Sequence, residues 1–184
     1  MPMSPRKQTP GRDRRCVVEF APVGVAHSRL STAGAPPFQS VFSKEEGEIE
    51  VFPEFREGLK SIEGFSHVII LSCFDRAARQ ALVEKPLTDG EADHGIFACR
   101  HFNRPNPIGI SYMTLTKVDG CRLRVRGMDL LDGTPVLDIK PYVPAFDSIP
   151  DASSGWVTET HIGRIRETSS KVSQKNREKP PHAT

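Results

Sequence analysis

The stretch Ile110-Ser-Tyr-Met-Thr-Leu-Thr-Lys-Val118, Asp119-Gly120-Cys121, Arg122-Leu-Arg-Val-Arg-Gly-Met128 decides the fold. Two runs of alternating character flank an Asp-Gly pair, the strongest short-range signal for a β-hairpin. Upstream, Ser66 to Phe74 is a near-continuous apolar run and reads as a buried strand. Gly47 to Phe52 alternates and reads as another. Val17 to Val25 reads as a first strand, with Pro22 and Gly24 marking an edge or bulge. Gly95 to Cys99 and Pro135 to Ile139 read as further strands. Pro53 opens a short helix through about Leu59, because proline is tolerated in a first helical turn. Short strands at close spacing with turn signals predict an all-β sandwich or barrel. No strand–helix–strand alternation is sustained, and no G-x-G-x-x-G joins a strand to a helix, so a doubly wound nucleotide-binding sheet is disfavoured.

The 184 residues fit one domain with ends left over. The net charge is only +2, but its distribution is uneven. Arg6, Lys7, Arg12, Arg14 and Arg15 crowd the first segment. Arg164, Arg166, Lys171, Lys175, Arg177 and Lys179 crowd the last. The division expected is residues 1–16 as a disordered basic N-terminus, 17–148 as the folded domain and 149–184 as a flexible basic tail. Such ends either help hold a polyanion such as RNA or are solvated tails. The 4 cysteines are far apart with no C-x-x-C spacing, which argues against zinc or redox chemistry and for a reducing compartment. No apolar h-region follows the N-terminus and no apolar run approaches the roughly 20 residues that span a bilayer. The expectation is a cytoplasmic protein with no membrane and no metal.

Two stretches carry chemistry. In Cys99-Arg100-His-Phe-Asn-Arg104-Pro-Asn-Pro-Ile-Gly109, two guanidinium forks stand beside a rigid turn. They suit a carboxylate, phosphate or nucleotide, or they bond loop carbonyls or Asp129. In Asp129-Leu-Leu-Asp-Gly-Thr-Pro-Val-Leu-Asp-Ile-Lys-Pro-Tyr142, three carboxylates accompany a turn. Asp129, Asp132 and Asp138 orient a base or amine, or cap the turn. Metal binding is disfavoured, since no histidine stands at ligand spacing. Lys140 pairs with Asp138 or faces a ligand. His27 and His67 adjoin serines and are either acid–base groups or satisfied structural residues.

These stretches, with Pro22-Val-Gly-Val-Ala-His-Ser28 and Leu59-Lys-Ser-Ile-Glu-Gly-Phe-Ser-His67, resemble the TsaA-like family, which holds the tRNA methyltransferases of the TrmO (YaeB) type. The resemblance runs from about residue 17 to 148. It implies a small β-barrel that uses S-adenosyl-L-methionine, a homodimer with the cofactor near the subunit interface, and tRNA as partner. The implied reaction methylates the exocyclic nitrogen of threonylcarbamoyl-adenosine next to the anticodon. A diverged S-adenosylmethionine- or nucleotide-binding barrel with another acceptor is the alternative. The implied cofactor positions are Pro37, Phe38 and Gln39, then Asp75 and Arg76, then Arg100, Ile110, and Leu130, Leu131, Asp132, Gly133 and Thr134. No catalytic residue is implied. Where the family reads Pro-Arg-Gln in the long loop, this chain has Phe38 in the middle. Where the family reads Phe-His after the apolar strand, this chain has Phe74-Asp75.

Overall fold

A computed structural model describes residues 17–31, 39–86 and 92–177. Six strands close into an antiparallel barrel: β1 (Gly24–His27), β2 (Glu46–Val51), β3 (His67–Cys73), β6 (Ile108–Asp119), β7 (Arg122–Arg126) and β8 (Pro135–Pro141). Their order around the barrel is β1-β2-β7-β6-β3-β8. A separate two-stranded ribbon joins β4 (Val83–Glu84) to β5 (His94–Gly95). Closure leaves no strand edge on the main sheet to template aggregation.

The expected hairpin forms, with Asp119 paired to Arg122. The loop itself is therefore Gly120-Cys121, one residue later than the Asp-Gly signal. Gly120 takes φ +60°, the left-handed conformation that a two-residue hairpin demands at its first loop position. Alternation places Met113, Leu123 and Val125 inward, against Ala26, Ile49, Val68, Ile70 and Val136. Each is almost fully buried, so this interior carries the main apolar contribution to stability.

Three readings need correction. The first strand begins at Gly24 rather than Val17. Val17, Val18 and Phe20 are exposed, because β2 ends at Val51, opposite Gly24, and offers nothing to pair with them. Gly95 to Cys99 is not a strand: β5 stops at Gly95, and Ile96–Ala98 form a 3-10 turn in which only Ile96 turns inward while Phe97 stands 81% exposed. The segment 149–184, read as a tail, contains the 19-residue helix α2 (Glu159–Arg177), preceded by the short α1 (Pro144–Asp147). Ile162, Ile165, Ser169 and Val172 recur at helical spacing along its covered face. The Pro53–Leu59 helix is present in 3-10 form. Among the described residues, no helix is long and apolar enough to cross a membrane.

Candidate functional site

The registers set the site. β1, β3 and β7 run towards one end of the barrel, and β2, β6 and β8 start from it. At this mouth lie the β1–β2 connection, the excursion from β3 to β6, and the β7–β8 connection. Every implied cofactor position among the described residues sits on one of these three connections, except Ile110, near the start of β6.

Arg100 donates from Nη1 to Oε1 of Gln39 at 3.0 Å, so the excursion and the β1–β2 connection meet here. Arg100 is exposed, and among the described residues Gln39 is its hydrogen-bond partner. A guanidinium has five donors, and among the described residues one is engaged by Gln39. Next to this pair is Asp129. Its carboxyl accepts from Ser111 Oγ at 2.7 Å and from the Ser40 amide. Ser40 Oγ in turn accepts the Tyr112 amide at 2.8 Å. Burial is the main influence on Asp129 and pushes its carboxyl up to about 7, against the pull of these hydrogen bonds and of Arg100. Although the residue as a whole is only half-buried, the carboxyl is enclosed.

The β7–β8 connection is tied down mainly through its main-chain atoms, to β1 and the segment after it as well as to itself. Asp132 N–H donates to Leu30 O at 3.0 Å, Gly133 N–H to Ala26 O at 2.9 Å, and Thr134 N–H to Leu131 O at 3.1 Å. Ser28 Oγ donates to Leu130 O at 2.8 Å, and Thr134 Oγ1 to Leu131 O at 2.7 Å. Arg76 crosses from the end of β3 and donates to Asp132 O at 2.8 Å. Gly133 has φ +77°, and a Cβ there would lie 3.0 Å from Arg76 Nη2. This glycine therefore serves both the turn and the arginine. The Asp132 side chain is 61% exposed, and its Oδ1 accepts the Ser28 amide at 3.0 Å.

The implied positions divide accordingly. Gln39 and Arg100 are brought together, as are Arg76, Asp132 and Gly133. Leu130 is a core residue, only 3% exposed, and Leu131 packs against the core, so both would meet a ligand through the main chain. Thr134 is buried, Asp75 is exposed, and Ile110 faces outward at 40% exposure. Pro37 and Phe38 lie outside the described residues. Arg104 takes the structural alternative and donates to Cys99 O at 2.7 Å. Lys140 pairs with Asp138 at 2.6 Å. His27 bonds Glu50 at 2.8 Å, and His67 bonds Ser66 and Thr114 at the opposite end of the barrel.

Ser40 and Ser111 carry no motif that singles them out. Only their adjacency to Gln39 and Ile110, once the barrel closes, brings them to Asp129. A second polar knot supports the mouth: Glu84 accepts from Asn103 Nδ2 at 2.8 Å and Arg79 Nη2 at 2.7 Å, which fastens β4 to the arginine turn. The Asn103 bond is the main influence holding the Glu84 carboxyl below its ordinary range. A groove of about 870 Å³ runs along β1, β2 and β7. It meets the implied positions only at Asp132 and is lined by charges of both signs, among them Lys44, Glu46 and Arg124. The enclosed carboxyl is that of Asp129, which does not line this groove. Among the described residues, no cluster of three or more His, Cys, Asp or Glu is placed to hold a metal.

The model of the family described as tRNA-methyltransferase O N-terminal domain matches residues 25–148. A "Probable S-adenosyl-L-methionine-binding protein" of Archaeoglobus fulgidus is 48% identical over 145 residues, covering 79% of this chain and 39% of that one. The Escherichia coli "tRNA (adenine(37)-N6)-methyltransferase" is 36% identical over 148 residues, covering 75% and 63%. A solved structure of TrmO superposes with a TM-score of 0.66 at 38% identity, covering 77% of this chain and 65% of that one. The chain thus spans less than two thirds of each of these three relatives. From the barrel, its mouth and these matches together, the chain belongs to the family of the tRNA-methyltransferase O N-terminal domain.

Proposed function

We propose that this chain is an S-adenosylmethionine-dependent methyltransferase acting on tRNA, and that its acceptor is the exocyclic nitrogen of threonylcarbamoyl-adenosine beside the anticodon. The observation that carries the reading is the meeting of three connections at one barrel mouth, where Arg100 bonds Gln39 and its charge acts on the enclosed Asp129 carboxyl. The donor set fits the cofactor. Arg100 has guanidinium donors left for a carboxylate. Asp132 offers an exposed carboxylate to an ammonium group, and Asp129 lies where a positive sulfonium would be tolerated. The bound cofactor supplies an activated methyl group for direct displacement by nitrogen.

The protein's own work is alignment. Arg100 and Gln39 fix one end of the cofactor. The self-bonded turn Leu131 to Thr134, clipped by Arg76, presents a preformed wall. Holding donor and acceptor in line supplies most of the acceleration in such a transfer. The names of the Escherichia coli relative and the TrmO structures support tRNA as substrate. A second reading, a cofactor-binding barrel with another acceptor, is favoured by the Archaeoglobus relative's more general name and by Phe38 in place of the family's arginine. A homodimer belongs to the first reading, and the outward Phe97, Phe102, Ile108 and Ile110 beside the mouth offer an apolar face to a second copy.

Calorimetry with S-adenosylmethionine, followed by incubation with tRNA and mass spectrometry of its nucleosides, tests these readings. Binding with a new methylated threonylcarbamoyl-adenosine supports the first. Binding with no methylated product supports the second, and no binding removes both.

A further inference from the structure

We propose that Trp156 and Arg166 are positioning residues, through which the C-terminal segment braces from outside the barrel the two segments that carry Arg100 and Gln39. The inference rests on the reading of that pair as cofactor-holding.

Trp156 donates from Nε1 to Ala98 O at 2.8 Å, two residues before Arg100. The next carbonyl, Cys99 O, accepts from Arg104 at 2.7 Å. The two carbonyls preceding Arg100 are thus each held by a side chain, one from the turn and one from the C-terminal segment. The indole ring is held as well. It stacks on His94 of β5 with centroids 4.0 Å apart and planes at 15°, and His161 of α2 meets it edge-on at 5.5 Å. His161 Nδ1 accepts the Thr158 amide at 3.0 Å, which fixes the start of α2 relative to the indole.

From there α2 packs against the 3-10 turn Ser40–Phe42, the turn that follows Gln39. The Arg166 guanidinium lies 5.1 Å from the centroid of Phe42. Ser169, one turn further along, is fully buried in this contact face. One C-terminal segment therefore grips the segment next to each partner of the 3.0 Å Arg100–Gln39 hydrogen bond.

The physical need is clear. Arg100 and Gln39 stand on surface connections, and long side chains there lose rotamer freedom when they bind. If the pair is in place for only part of the time, the apparent dissociation constant rises by the inverse of that fraction. Bracing the backbone on both sides raises the fraction without touching the ligand.

The test uses the full chain with Trp156→Ala, Trp156→Phe, Arg166→Ala and Arg166→Lys. S-adenosylmethionine binding is measured by calorimetry, and amide hydrogen exchange is measured without ligand. Each alanine variant is expected to bind about five- to tenfold more weakly, the scale of one lost hydrogen bond or cation–π contact. Arg166→Lys, which keeps a cation over Phe42, stays within about twofold of wild type. Trp156→Phe, which keeps a ring but not the donor, falls between. Exchange rises at residues 39–43 in Arg166→Ala and at 96–100 in Trp156→Ala, while the barrel amides hold. Alanine variants with wild-type affinity, or with unchanged exchange in both segments, overturn the proposal. So does a variant that unfolds outright, since the segment would then be part of the core. If the wild type binds no S-adenosylmethionine, the cofactor reading fails, and the amides alone decide whether the brace exists.

Discussion

Replacing Asp129 by asparagine should change the way stability depends on pH. The ordinary value for this carboxyl is 3.8, and burial lifts it to about 7 in the folded chain. Below 3.8 the folded and unfolded states are both protonated, and the group costs nothing. Between 3.8 and about 7 the unfolded chain releases its proton while the folded chain keeps it, so stability falls as pH rises. Above that range the loss is complete. A rise of this size corresponds to about 4 kcal/mol, or about 2 kcal/mol if water reaching the rim eases the charge. Asparagine cannot ionise and keeps an oxygen able to accept from Ser111. Any fixed penalty from its amide nitrogen appears at every pH and cancels in the comparison. Urea unfolding of both proteins at pH 4 and pH 8 should therefore show the variant gaining about 2–4 kcal/mol on the wild type between the two conditions. A gain of less than about 0.5 kcal/mol would show that the carboxyl is solvated and that its enclosure beneath the mouth is misread.

Gly109→Ala should destabilise the barrel by about 1–3 kcal/mol by overpacking, since its Cβ would lie 2.6 Å from both the Phe74 ring and Ser72 Oγ; the urea midpoint measures it. Gly133→Ala should cost about 1–2 kcal/mol for a non-glycine residue at φ +77° and should push Arg76 away from Asp132 O; weaker S-adenosylmethionine binding accompanies the loss, and unchanged binding would separate Arg76 from the cofactor. Leu123→Ala, at a fully buried position of β7, should cost about 2–5 kcal/mol in the same unfolding experiment. Arg100→Ala should weaken S-adenosylmethionine binding about tenfold or more while leaving the unfolding midpoint in place, because its side chain is exposed; unchanged affinity would remove Arg100 from the site.

Strand periodicity made the barrel legible. The near-continuous apolar run that holds Val68 and Ile70 forms the buried β3, the alternating run places Met113 inward, and the hairpin pairing follows within one residue of its Asp-Gly signal. The errors arose where composition and pairing part company. Val17, Val18 and Phe20 have strand-forming side chains but no opposite strand, and Ile96 is the one inward residue of an otherwise exposed apolar run. Helix α2 escaped because its covered face is narrow, with Ser169 at the centre of the contact. In the candidate site, the resemblance names Arg100 and Gln39, which the fold joins by a hydrogen bond, whereas nothing in the sequence points to the bonds from Ser111 and Ser40 to Asp129. Such pairs are set by barrel closure, which joins residues far apart in the chain and leaves no local trace.

The far end of the barrel offers an experimental handle. Asp119 to Arg122 turn there through Gly120 and Cys121, at the tip of a 12-residue strand that begins at the mouth. Along a tilted strand of that length the separation is about 30 Å. Cys121 is a free, partly exposed thiol. With Cys73 and Cys99, which are also free and partly exposed, and Cys16 replaced by serine, a fluorophore on Cys121 reports on RNA arriving at the mouth from a distance suited to energy transfer, without occupying the site itself. Insertions at the same turn would lengthen the molecule away from its chemistry, so fusions placed there should leave the mouth intact.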